Sequence, residues 1–332
     1  MKKTVLVTGG NGYIGAAVAW LLAQQNFDVI VVDKVLPVQS IPGVTKNYLI
    51  DLNNSVETYN FFSKHQIGAV FHCAALTSVA ESMVTPHKYY ANNYCATLNL
   101  LATMAKFNVK KIIFSSSAAV YGLQNGLPIE ESARCEPQSP YGKSKWFVEQ
   151  MLPDFEYVFG IRHVILRYFN VAGAIFTSGF VHGEMHAPET HLIPLAIHKI
   201  LNREPLEVFG FELGTPDGSA VRDFVHLLDV AWANVLALRF LVDKRESAIF
   251  NICSGRPISV FEVVASVEKN ANMLGVIKPS LPRVGDPEVL IGDASFAIQR
   301  LGWKAQNSNF EQIIQDALAW CLLQKKCTNN SA

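Results

Sequence analysis

Tyr141 and Lys145 stand four residues apart in the stretch SPYGKSK, residues 139–145. If a helix starts there, as Pro140 in its first turn allows, phenol and ammonium share one face and Lys143 points elsewhere. A free phenol has a pKa of about 10 and is a poor base at neutral pH. A neighbouring ammonium favours the phenolate and lowers that value. The same spacing occurs on many solvated helices, so the pair gains meaning only from what surrounds it. One neighbour is the run KIIFSSS, which ends in Ser115, Ser116 and Ser117. A serine hydroxyl at a strand end can donate to a substrate oxygen or relay a proton from it. For two of the three serines an ordinary polar strand end is the expected role.

The second constellation is TGGNGYIG, which spaces Gly9, Gly12 and Gly15 three apart between a strand and a helix. Such glycines let the backbone turn tightly, approach a pyrophosphate and pack the helix closely on a sheet. The anion then rests on the helix N-terminus, where free N–H groups and the dipole favour negative charge. Asp33 ends the next strand, DVIVVD, where a carboxylate accepts hydrogen bonds from an adenosine ribose and repels a 2′-phosphate. NAD is therefore expected over NADP, with Lys34 next door as the opposing charge. A positive nicotinamide ring at the strand ends would add to Lys145 in lowering the Tyr141 pKa.

These residues need a scaffold, and the first half supplies one in its rhythm. TVLVTG, DVIVVD, NYLIDL, AVFHCAA, KIIFSSS and HVILRYF read as buried strands. Helical stretches separate them, at residues 13–25, in SVETYNFFSKH and over residues 86–107. Strand, helix, strand in repetition predicts a Rossmann-type doubly wound parallel α/β sheet with both faces covered. After residue 173 loops rich in Gly, Pro and His surround shorter elements, and Ser259 and Glu262 have capping-box spacing. The expected division is a dinucleotide-binding domain over residues 1–172 and a smaller mixed α/β substrate lobe over 173–332. Some later elements are free to return to the first domain.

Bulk composition excludes several function classes. Lys+Arg and Asp+Glu both number 28 in 332 residues, so nothing favours a nucleic-acid or acidic-membrane surface. Half of the residues are hydrophobic, yet no apolar run approaches a membrane span, and MKKTVLVTGG reaches its glycines too soon for a signal peptide. Six scattered cysteines without a Cys-x-x-Cys pair suit a reducing compartment, so a cytoplasmic location is expected. His182, His186 and His191 raise the question of a metal. Gly183 and Pro188 break the helix that would align them, so no metal is expected.

Six segments, TGGNGYIG, SSSAAVYG, SPYGKSK, LRYFNVAGA, ETHLIPL and GSAVRDFVHLLDV, occur in an order that resembles the extended short-chain dehydrogenase/reductase family. Within it the similarity is to the UDP-glucose (UDP-galactose) 4-epimerases and runs over nearly the whole chain. The resemblance implies Tyr141 as catalytic base, Lys145 as its electrostatic partner and ribose ligand, and Ser117 as proton relay. It places NAD on Gly9, Gly12, Tyr13, Ile14, Gly15, Asp33, Asp51, Leu52, Asn92, Ser115, Tyr141, Lys145 and Phe169. For the UDP-sugar it implies Ser117, Tyr141, Asn170, His191, Phe209, Arg222, Arg283, Asp286 and Leu290. Arg222 and Arg283 also make sense alone, because a diphosphate suits forked guanidinium donors. Without a nucleotide they would form surface ion pairs, Arg222 with Asp223 and Arg283 with Asp286.

The resemblance further implies reversible 4-epimerisation of UDP-glucose and UDP-galactose through a transient 4-keto sugar, with NAD retained, in a homodimer. Another UDP-sugar is the alternative: UDP-GlcNAc/GalNAc, UDP-xylose/arabinose or UDP-glucuronate/galacturonate. An NDP-sugar 4,6-dehydratase is disfavoured because Ala118 and Ala119 follow Ser117 where such enzymes carry an acidic pair. Three positions depart from the pattern. Thr77 replaces a lysine frequent near the cofactor phosphates, the segment between Asp33 and Asp51 is short, and Leu290 is intermediate in size at a position that gates N-acetylated sugars.

Overall fold

The computed structural model describes residues 4–283 and 285–329. In chain order the first half runs β1 (Thr4–Thr8), α1 (Tyr13–Gln24), β2 (Asp28–Asp33), β3 (Val44–Leu49), α2 (Ser55–Phe62) and β4 (Ala69–His72). It continues with α3 (Val79–Val84), α4 (Pro86–Tyr89), a π-turn (Tyr90–Cys95), α5 (Ala96–Lys106), β5 (Lys111–Ser117), α6 (Pro140–Phe159) and β6 (Arg162–Tyr168). The second half adds β7 (Asn170–Ala172), β8 (Ile175–Phe176), β9 (Val181–His182), α7 (Leu192–Asn202), β10 (Pro205–Phe209), β11 (Val221–His226) and α8 (Leu227–Asp243). The last elements are β12 (Ala248–Ile252), β13 (Pro257–Ser259), α9 (Val260–Ala271), β14 (Val276–Ser280), β15 (Val289–Leu290) and α10 (Phe310–Asn329).

Seven strands form one parallel sheet in the order β12-β6-β5-β4-β1-β2-β3. The order reverses at β1, so the C-terminal edges of β1 and β4 border the crevice where such sheets take ligands. Continuous apolar runs such as Val5-Leu6-Val7 and Val29 to Val32 are buried because helices cover both faces. α1 and α8 pack Ala17, Val18, Leu22, Val235 and Leu238 on one face. On the other, α2, α5 and α6 contribute Phe61, Phe62, Leu100, Leu101, Val148 and Leu152.

α6 begins as its sequence requires. The Ser139 side chain accepts from Gly142 N at 3.1 Å, Pro140 fills the first turn, and Gly160 closes the helix at φ +65. Pro153 lies inside this helix, where a proline costs about 3 kcal/mol. Burial of Val148, Met151 and Leu152 at roughly 1.5–3 kcal/mol each outweighs that cost. The helical stretch expected over 86–107 is present, with one wider π-turn that rotates Asn93 inward.

β12 returns to the central sheet beside β6, and α8 covers α1, so the second half completes the first lobe. A separate core of Ile193, Ile197, Val208, Phe224, Val264 and Ile314 unites α7, α9, α10, β10 and β11. The Ser259–Glu262 capping box forms at the start of α9.

Candidate active site

The glycine turn is built as the spacing requires. Gly9 sits at φ +67, and a Cβ there would lie 2.5 Å from Ala74 N. A Cβ on Gly15 would lie 2.0 Å from Gly9 O, so this glycine lets α1 close onto the turn. Gly12 differs. Its backbone is extended (φ −83, ψ 176) and an added Cβ meets only Gly9 O at 3.4 Å. The fold alone does not demand glycine there, at the N-cap of a helix with no side-chain cap. Open space over unpartnered first-turn N–H groups fits a dinucleotide pyrophosphate. Asp33 braces this cradle: Oδ2 accepts from Asn11 N at 2.9 Å and Oδ1 from Val35 N at 3.2 Å. Each oxygen retains a lone pair for a ribose hydroxyl.

Other residues expected at the cofactor are spread more unevenly. Tyr13 is buried and donates its hydroxyl to Gly173 O at 2.7 Å, so only its backbone, like that of Ile14, belongs to the cradle. Asn92, in the π-turn, accepts from Lys34 Nζ at 2.8 Å. Asp51 is exposed and accepts from Asn53 N at 2.9 Å in its own turn, while Leu52 is buried. The ring of Phe169 is core, packed where a Cβ on Gly292 would lie 2.5 Å away. Thr77 is exposed.

At the C-terminal end of β5 the structure joins Ser117 and Tyr141. The Ser117 side chain lies near enough to the phenol to favour its ionised form, and its oxygen accepts from Ala119 N at 3.2 Å. The ring packs edge-on against Tyr89, 6.4 Å between centroids. The expected lowering of the Tyr141 pKa is corrected here. Burial raises the phenol, and only Ser117 pulls it back. Lys145 is turned elsewhere: Nζ donates to Ser115 O at 2.7 Å and lies 5.0 Å over the Phe114 ring. Desolvation lowers this ammonium to about 8. Helical spacing thus places the two residues on one face without directing their charges at each other in the protein alone.

Ser115 and Ser116 point to opposite sides of the strand. The Ser115 hydroxyl meets Tyr168 Oη at 3.1 Å, and Ser116 donates to Glu149 Oε1 at 2.5 Å. Glu149 belongs to a buried network that was not foreseen. Arg167 Nη2 lies 2.6 Å from Glu149 Oε2, its Nη1 donates to Tyr121 Oη at 2.9 Å, and Tyr121 donates to Asn251 Oδ1 at 2.6 Å. Glu149 holds the Arg167 guanidinium firmly charged although burial opposes it. The signal was available: Glu149 follows Lys145 by four and Tyr141 by eight, on the same helix face.

The residues expected at the nucleotide gather in the second lobe. Arg283 stacks its guanidinium 3.9 Å over the Phe209 ring, and Arg222 Nη2 donates to Asp286 Oδ1 at 2.7 Å. Both expected neighbour pairs are therefore replaced. Adjacent strand residues face opposite sides, so Asp223 is buried and accepts from Ser254 N, Gly255 N and Ser254 Oγ instead. Leu290 pairs in register with Arg222 and packs on the cluster holding Ala118 and Phe169. Asn170 donates to Asp223 O at 3.1 Å. The segment after β14 thus runs from Arg283 past Gln138, which adjoins Gly285, toward the end of β5.

His191 sits at the N-cap of α7 and lines a cavity with Val171, Ala172 and Gly173, next to Asn170. Its Nδ1 is 2.8 Å from Glu189 Oε1 and 3.8 Å from Glu184 Oε2, and its ring centroid is 5.4 Å from that of His186. His182 turns away to Tyr13 O, at 2.9 Å. The absence of an aligning helix does not keep the other two histidines apart, because a loop brings them together.

Comparison with known proteins places the chain among one family of sequences and structures. Residues 5–253 match the NAD dependent epimerase/dehydratase family. A UDP-glucose 4-epimerase of Streptococcus mutans is 39% identical over 321 residues, covering 95% of this chain and 96% of the relative. The crystal structure of UDP-glucose 4-epimerase from Brucella ovis in complex with NAD superposes with a TM-score of 0.91 at 36% identity, over 96% of this chain and 98% of that one. The Stenotrophomonas maltophila UDP-glucose-4-epimerase with bound NAD and formylated UDP-arabinopyranose gives 0.91 at 33% identity, over 98% and 100%.

Proposed function

This chain belongs to the NAD dependent epimerase/dehydratase family, and from that premise we propose that it interconverts UDP-glucose and UDP-galactose by inverting C4 of the sugar. The observation that carries the reading is the placing of the Ser117 side chain beside the buried Tyr141 phenol at the end of β5, with Lys145 buried one turn along α6. Bound NAD supplies a hydride acceptor that becomes the donor, and a positive charge, so no net oxidation results. Gly9, Gly12, Gly15 and the first turn of α1 hold its pyrophosphate, and Asp33 its adenosine ribose.

Tyr141 takes the proton of the sugar 4-hydroxyl as C4 is oxidised to the ketone, and gives it back to the oxygen on reduction. Ser117 holds that oxygen and relays the proton. Because burial keeps the Tyr141 phenol protonated in the protein alone, its activation as a base waits on positive charge arriving with the cofactor. Arg222 and Arg283 bind the diphosphate, Phe209 and Asp286 the uridine end, and Asn170 and His191 complete the grip. Firm anchoring of UDP and loose holding of the sugar let the ketone present either face.

The family also contains dehydratases, and the alanines after Ser117 support epimerisation over elimination. Ala118 is buried in an apolar cluster with Val120 and Tyr121, so no acid–base pair stands there. The deciding experiment incubates the isolated protein with individual UDP-sugars, without added cofactor, and identifies products by chromatography. Interconversion of UDP-glucose and UDP-galactose is expected. A 4-keto-6-deoxy product would make the protein a dehydratase. Turnover confined to UDP-GlcNAc, UDP-xylose or UDP-glucuronate would move the assignment to that sugar pair, the first of them through Leu290.

The working form is a cytoplasmic homodimer, with the chain divided near residue 172. Among the described residues no disulfide forms, and no helix is long and apolar enough to cross a membrane. Phe147 and Leu98 leave apolar surface exposed on α6 and α5, and Tyr90 stacks on Phe147 there. Light scattering after gel filtration tests the dimer.

A further inference from the structure

We propose that Glu184, His186 and His191, with Glu189 beside them, form a binding site for one divalent transition-metal ion of the zinc class. Within GEMHAPETH the unit Glu-x-His occurs twice, five residues apart, and both copies fold alike. Glu184 Oε1 accepts from Met185 N, His186 N and His186 Nδ1, at 2.8, 3.0 and 2.5 Å. Glu189 Oε1 accepts from Thr190 N, His191 N and His191 Nδ1, at 2.7, 2.7 and 2.8 Å. The cis bond before Pro188 lies between the two copies, whose imidazoles end 5.4 Å apart. One donor atom each from Glu184, His186 and His191 lies within 4.8 Å of the others. Tetrahedral donors at bonds of about 2.1 Å stand about 3.4 Å apart, so a side-chain closure of roughly an ångström completes the set.

Charge and anchoring support an ion rather than a mere brace. Among the described residues neither carboxylate has a lysine or arginine within ion-pair distance; their partners are these two imidazoles. With both imidazoles deprotonated, as ligation requires, the two carboxylates leave a charge of −2, which a divalent cation balances. The Glu184 side chain is only 9% exposed, and its carbonyl accepts from Trp320 Nε1 at 2.7 Å. The first donor is therefore fixed to α10, while His191 is fixed to the start of α7. Imidazole with carboxylate suits zinc and its neighbours rather than magnesium or calcium. The ion would pin the loop over residues 183–191 between those two helices, and through His191 it would adjoin the UDP-sugar grip proposed above.

The test uses the full chain after chelator treatment and dialysis. Titration with Co²⁺, followed by visible absorption, and with Zn²⁺, followed by calorimetry, should show one ion per chain with the bands of four- or five-coordinate cobalt. Glu184→Gln and His186→Ala should each weaken binding at least about tenfold, with unchanged far-UV circular dichroism in metal-free buffer. His186 is half exposed, so its variant should fold. Absence of stoichiometric binding, or equal binding by wild type and both variants, would overturn the site and leave two hydrogen-bonded Glu-x-His turns.

Discussion

Lys145 gives up its proton more readily than a lysine in water because burial strips its ammonium of water, and a strand carbonyl and a phenyl ring replace only part of that solvation. The sign of the consequence follows from linkage. Between about pH 8 and 10.5 the folded protein releases this proton while the unfolded chain keeps it, so this group's contribution to stability rises with pH across that window. In NAD-free protein the stability of wild type relative to Lys145→Met should grow by on the order of 3 kcal/mol over the interval. Urea unfolding at several pH values measures it, and a constant difference would show that the ammonium is not desolvated. Tyr141→Phe isolates the other half of the pair. It should lower epimerisation by about 10²–10⁴-fold while leaving the bound dinucleotide in place. Turnover and the dinucleotide released on denaturation are the two readouts, and near-normal turnover refutes the assigned base.

The strand-to-helix turn and α6 separate what the fold needs from what a ligand needs. Gly15→Ala would force a Cβ to 2.0 Å from Gly9 O, so this variant should lose thermal stability with or without cofactor. Gly12→Ala meets only an ordinary contact at 3.4 Å and an extended backbone. It should keep its metal- and NAD-free unfolding midpoint yet retain much less NAD after purification, because the methyl occupies the space over the helix N-terminus. Loss of folding in Gly12→Ala would show that the turn itself requires glycine. On α6, Glu149→Leu strands the Arg167 charge beneath β5, at a cost of about 3–5 kcal/mol. Glu149→Leu with Arg167→Met should recover most of that loss in urea unfolding, since two apolar side chains need no desolvated partner.

At the scale of the whole molecule, β12 and α8 from the second half of the chain pack back on the first. A fragment of residues 1–172 would expose the edge of β6 that β12 covers and the face of α1 that α8 covers. It should fail to unfold cooperatively, whereas the full chain should do so; circular dichroism under increasing urea distinguishes them. The UDP-sugar residues show the same interdependence. Leu290 and Arg222 lie on strands of the second lobe, yet Leu290 packs on the apolar cluster that includes Ala118, the residue after Ser117. Neither lobe builds the site alone.

Local spacing was enough for the glycine turn, the strand ending at Asp33, the start of α6 and the parallel sheet, because each rests on a period of three to four residues or on continuous apolar runs. Tyr141 and Lys145 were legible as residues of one helix face for the same reason. What the linear order could not show was decided by contacts between distant segments. Burial from several elements raises Tyr141 and lowers Lys145, Arg283 chooses Phe209, Arg222 chooses Asp286, and a loop unites Glu184 with two histidines. Desolvation and partner choice depend on every group that packs around a side chain, and that set exists only once the chain has closed on itself.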